Sequence, residues 1–161
     1  MIDIRNSPIS YCFDDAISVN PPSLNVIAYL ESVEAEFMWE QRFGIEGRNF
    51  HSLPVTSIYS NLRWESVGNW IEAFNGKFDK DVVPRIVKEI SGWSSSERLL
   101  LVKDKKNSVA LSLKGFKDYW IALLCGFDDG PVLVAEDRES GHYFQFTPLG
   151  TIQLGVFRAI G

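Results

Sequence analysis

Residues 98–146 decide the fold. They run Arg98-LLLVKD, a KKNS turn at 105–108, VALSL to 113, KGFKDYWIALLC from 114 to 125, DDGP at 128–131, VLVAED from 132, a RESG turn and HYFQF ending at Phe146. Apolar runs of four to six residues separated by Asn, Gly, Pro and Asp punctuation read as strands. RLLLVKD and SVALSL flank a turn and form an antiparallel hairpin. Phe116 to Cys125 has helical spacing, with Phe116, Trp120, Leu123 and Leu124 on one side and Lys117 and Asp118 on the other, so a helix lies over one sheet face. VLVAED and HYFQF form a second hairpin, and GTIQLGVFR adds a last strand. The class is α+β, an antiparallel sheet with one internal helix.

Working outward, the N-terminal half reads as helical. A first strand is expected at Ile9 to Phe13. Pro21-Pro22-Ser23 suits a helix start, and a helix is expected from about residue 23 to 42, with Leu24, Ile27, Ala28, Leu30, Ala35 and Met38 inward and Glu31, Glu34, Glu36 and Glu40 mostly opposite. A second helix is expected over Ile58 to Phe74, from the spacing of Leu62, Val67, Trp70, Ile71 and Phe74. A third starts near Asp79 or Asp81 and carries Val82, Val83, Ile86, Val87 and Ile90 inward before Gly92. There is no repeat, low-complexity tract or linker. One domain over residues 1–161 is expected, helical to about 93 and sheet-rich from about 94.

Composition narrows the function. Hydrophobic residues make up 45% and aromatics 13%, enough for a core without disulfide or metal staples. Cys12 and Cys125 form no CxxC, which points to a reduced, cytoplasmic chain. No stretch approaches the roughly 18 apolar residues of a membrane helix. The net charge of −5 disfavours a phosphate-binding surface, so neither membrane nor nucleic acid is expected as a partner. Acidic residues concentrate at the two ends. Residues 1–60 hold eight acids and three bases, and residues 116–161 hold six and three. Such faces steer a cationic partner.

Chemistry-bearing motifs are missing. His51 and His142 lack companions at metal-ligand spacing, and no cofactor or metal is expected. No GxSxG elbow, phosphate-binding loop or GxGxxG occurs. Cys125 ends an apolar run, where a small buried hydrophobe is expected, although a Cys125–His142 pair would suit a small hydrolase or transferase. The adjacent acids Asp14-Asp15, Asp128-Asp129 and Glu136-Asp137 fall in turns or on strand edges, better placed for a basic partner than for acid-base work. Trp64 and Tyr143 are expected to leave the core and anchor a contact.

The helix GFKDYWIALLC, the acidic turn DDG, the strand VLVAED and the closing HYFQF resemble small cytosolic immunity proteins of bacterial polymorphic-toxin and contact-dependent growth inhibition systems, over about residues 98–155. The resemblance implies a single acidic, Trp-rich domain without an active site, which neutralises a cognate toxin domain by covering its cleft. A basic nuclease toxin fits the charge. The expected contacts are Glu31, Glu34, Glu36, Glu40, Trp64, Asp128, Asp129, Glu136, Asp137 and Tyr143. A ligand-binding or scaffold domain is the remaining alternative.

Overall fold

The computed structural model describes residues 1–75, 85, 86, 88, 98–135 and 142–157. After two 3-10 turns, Ile4–Asn6 and Ser10–Cys12, come α1 (Ala16–Val19), β1 (Ile27–Tyr29) and α2 (Ser32–Phe43). Two further 3-10 turns, Phe50–Ser52 and Tyr59–Asn61, lead to β2 (Leu62–Asn69) and α3 (Trp70–Phe74). The second half holds β3 (Arg98–Asp104), β4 (Asn107–Ser112), α4 (Leu113–Gly126), β5 (Val132–Ala135), β6 (His142–Phe146) and β7 (Thr151–Phe157). All seven strands join one antiparallel sheet in the order β1-β4-β3-β5-β6-β7-β2. The α+β class read from the sequence is the observed one.

The continuous apolar run of β3 has a simple cause: the strand is covered on both faces. Leu99 and Leu101 join Phe116, Leu123 and Leu124 of α4 and Ile4, Ile9 and Ile17 of the N-terminal turns in one core. Leu100 and Val102 point the other way, into a second core with Ala35, Trp39 and Phe43 of α2. The period-2 alternation of the strand thus divides one sheet between two helix layers.

α4 is set on the sheet by its start. Ser112 is the N-cap, its hydroxyl accepting from the Gly115 amide at 3.0 Å, while the Ser112 amide donates to the Val26 carbonyl at 2.9 Å. Gly115 then passes so close to the chain before β1 that a Cβ would stand 2.1 Å from the Val26 oxygen. Only glycine fits there.

The N-terminal half differs from the sequence reading in three places. Residues 9–13 form a 3-10 turn, not a strand. The expected helix over 23–42 is a turn, then β1, then α2 beginning only at Ser32. Ile27, Ala28 and Tyr29 are all buried, because β1 is flanked by both cores, and a short apolar run of this kind carries no periodicity to separate strand from helix. Leu24 is exposed. The expected helix over 58–74 is a 3-10 turn, the eight-residue strand β2 and the short α3. In β2, Leu62 and Trp64 pack on the α2 core while Val67 packs on the α4 core, and the register against β7 skips Val67 as a bulge. Apolar residues drawn from both faces and a bulge together imitate a helical spacing. The third expected helix lies outside the described residues except for Arg85, Ile86 and Lys88, which are helical, with Ile86 in the α4 core.

Both edges of the sheet therefore come from the first half of the chain. The outer edge of β1 is covered by Ile2, which exchanges two backbone hydrogen bonds with Tyr29, at 2.9 and 3.0 Å.

Candidate functional site

α2 carries most of the features of the candidate site. Its buried stripe, Ala35, Trp39, Arg42 and Phe43, follows helical spacing and sits in an aromatic cluster with Phe50, Tyr59, Trp64 and Tyr143. Ring centroids there are 4.8 Å apart for Trp39 and Phe43, 4.8 Å for Phe50 and Tyr59, and 5.2 Å for Tyr59 and Trp64. The Arg42 guanidinium lies 5.9 Å from the Tyr143 ring centre, a cation–π contact. Burial pushes the Tyr59 and Tyr143 phenols above the usual tyrosine range, with Arg42 opposing the shift at Tyr143.

The outer side of the same helix is apolar where water should favour polar residues. Val33 and Phe37, one turn apart, are 80% and 60% exposed, and Glu34, Glu36 and Glu40 surround them. A cleft of about 400 Å³ beside them is lined by Leu30, Met38, Leu100 and Ala110 among others. Across the helix, Glu36 lines a polar cleft of about 610 Å³ with Arg48, Asn49, Lys105, Lys106 and Asn107. A neighbouring cleft of about 450 Å³ shares Asn49 and Asp104 and includes His51, Lys103 and Asp129.

The β3–β4 turn fixes the polar clefts. An Asp104 carboxylate oxygen accepts from the Lys106 and Asn107 amides at 2.8 and 3.0 Å, and the Tyr29 hydroxyl donates to the Asn107 side chain at 2.6 Å. Lys105 ties this turn to the loop after α2: its amide donates to the Arg48 carbonyl at 2.9 Å, and its ammonium reaches the Ile45 carbonyl at 3.2 Å and Glu40 at 3.1 Å. Asp104 thereby serves the turn.

The residues expected at a partner surface separate into groups. Glu36 and Glu40 on α2 and Asp129, paired with Lys103 at 3.2 Å, surround the polar clefts. Glu31 and Glu34 build the capping box of α2 and hold the Met1 ammonium, whose hydrogen bond keeps the Glu34 carboxyl below the usual range. Asp128 is exposed near Cys12, apart from α2. Glu136 and Asp137 lie outside the described residues. The two aromatics do not behave as expected: Tyr143 is only 4% exposed, and Trp64 is half-buried against Tyr59, because β6 and β2 turn them toward α2. Val33 and Phe37 were missed. Their signal was in the sequence, since two apolar residues four apart fall outside the Ala35, Trp39 and Phe43 stripe once the helix starts at Ser32.

Cys125 is exposed rather than buried. Among the described residues no three His, Cys, Asp or Glu side chains gather closely enough to hold a metal ion, and no helix is long and apolar enough to cross a membrane.

Fold and site together define a mixed α+β protein with a sheet between two helical layers and an apolar, acid-rimmed helix face open to solvent. A family model described as a protein of unknown function, DUF2947, matches residues 4–155, and the chain belongs to that family. No curated protein and no solved structure matches it.

Proposed function

We propose that the protein is a binding protein that captures a basic protein partner on the outer side of α2, and that the partner is a cognate toxin domain which it neutralises as an immunity protein. The observation that carries this reading is the exposed pair Val33 and Phe37 ringed by Glu34, Glu36 and Glu40. An aromatic anchor inside a charged rim is the anatomy of a protein contact, and acids beside it speed the encounter with a cationic surface. Phe37 takes the anchoring role expected of Trp64 and Tyr143, which belong to the core. Across the polar clefts the acids alternate with bases, Asp129 with Lys103 and Glu40 with Lys105.

The test is rescue by co-expression. The C-terminal domain encoded by the reading frame immediately upstream is expressed alone, and growth is measured with and without this protein. The expected result is toxicity relieved by the wild type through a 1:1 complex, and weakened relief by Phe37→Asp or by Glu36→Lys with Glu40→Lys. Absence of toxicity, or toxicity that the wild type leaves unrelieved, overturns the immunity reading. Undiminished relief by a folded Phe37→Asp variant overturns the assignment of the face.

A further inference from the structure

Cys12 and Cys125, far apart in the sequence, meet at the surface. The 3-10 turn Ser10–Cys12 packs against the last turn of α4, and the fit is tight: a Cβ on Gly126 would stand 2.7 Å from the Ile9 Cβ. Glycine at 126 thus lets Ile9 seat against the helix, and this seating sets Cys12 beside Cys125. Cys125 and Tyr11 are the side chains near enough to Cys12 to act on its thiol. Both cysteines are free thiols, Cys12 half-buried and Cys125 exposed.

We propose that Cys12 and Cys125 form a redox-active dithiol site, oxidised by hydroperoxides to an intramolecular disulfide that clasps the N-terminal turns to α4. Cys125, open to solvent, reacts first, its thiol proton passing to the departing oxygen. Its sulfur bonds one peroxide oxygen, the O–O bond breaks, and the other oxygen departs as water, leaving a sulfenic acid on Cys125. The Cys12 sulfur then displaces the sulfenic oxygen. The S–S bond forms as the S–O bond breaks, and the departing hydroxide takes up the Cys12 proton as water. In sum, two thiols give up two electrons and two protons, and hydrogen peroxide becomes two waters.

The surroundings divide these roles. Burial above all, then the nearby Cys125 thiol, pushes the Cys12 thiol up to about 11, with Asp128 adding to the rise and Tyr11 opposing it. Cys12 therefore remains a thiol at neutral pH and acts second, and the second step quickens as pH rises. The disulfide would close a loop of roughly a hundred residues, a length at which the constraint on the unfolded chain is large.

The experiment treats the full-length reduced protein with hydrogen peroxide at neutral pH, counts free thiols with Ellman's reagent, and follows intact mass and non-reduced peptide maps. The expected result is paired loss of both thiols, an intact mass lower by two hydrogens, a peptide joining Cys12 to Cys125, and a Tm raised by about 5–10 °C. Cys125→Ser should abolish all four changes while leaving the untreated Tm near wild type. Disulfide-linked dimers as the main product overturn the proposal. So does accumulation of sulfinic acid on Cys125 with Cys12 still open to alkylation.

Discussion

Under α4 the sheet is sealed by Phe116, Trp120, Leu123 and Leu124 together with the N-terminal turns, whereas under α2 it is covered by that helix and the turns carrying Phe50 and Tyr59, with clefts along both flanks of the helix. The strands beneath are the same. The difference lies in what each helix does with its far side: the start of α4 fits against the chain before β1 and its end against Ile9, while α2 turns Val33 and Phe37 to solvent. One layer is closed by the chain itself, and the other keeps two large apolar side chains in solvent.

The largest expected effect probes the sealed face. Phe116→Ala should cost about 4 kcal/mol in chemical denaturation, from lost transfer energy and the cavity left behind. A loss near 1 kcal/mol would mean that this face is as loosely finished as its opposite. Gly115→Ala should cost about 3 kcal/mol, since the added methyl meets the backbone oxygen of Val26 and backbone yields less readily than a side chain.

The next contrast is in pH. Tyr59 and Tyr143 under α2, and Tyr29 on the opposite side, have phenol pKa values raised chiefly by burial. A raised tyrosine pKa means that folding favours the neutral phenol, so its stabilisation is complete below the unfolded value of about 10 and is lost as pH rises through the folded values. Stability should fall above about pH 10, with tyrosinate absorbance appearing alongside loss of near-ultraviolet circular dichroism. Tyr59→Phe should reduce that alkaline loss.

Smaller effects belong to the ends and the outside. Ser112→Ala removes the cap of α4 and should cost about 1 kcal/mol by thermal denaturation. Phe37→Ala should shift stability by no more than about 0.5 kcal/mol while weakening capture of the partner in the rescue assay. A large stability loss there would show that Phe37 serves the fold, and the contrast between the two layers would disappear.

The sheet-rich half was legible because its hairpins carry their own punctuation. Asp104 to Asn107 is a turn by composition and by hydrogen bonding alike, and α4 shows its stripe cleanly because one face alone is buried. β1 and β2 were not legible, for the same reason in two forms. β2 sends apolar residues to both layers and β1 is buried at all three positions, so strict alternation, the signal of a half-buried strand, is absent. Of the candidate site, Glu36, Glu40 and Asp129 were chosen from charge alone, and charge does not say what they meet. Glu31 and Glu34 were acidic for a local reason, the cap of α2, which could be read only after its first residue moved to Ser32. The meeting of Cys12 with Cys125 depends on Ile9 against Gly126, a tertiary fit that leaves no trace in spacing.

Both edge strands pair with segments that follow them in the chain: β1 with β4, and β2 with β7. During synthesis the first sixty-nine residues leave the ribosome before either partner strand exists. The central strands must assemble before the edges have anywhere to dock, so folding is governed by late, long-range closure and should be slow for a protein of this size. β1 gains its partner once β4 is made, but the apolar residues of β2 stand unpaired until β7 follows, so a nascent chain stalled before Thr151 leaves that edge exposed to aggregation.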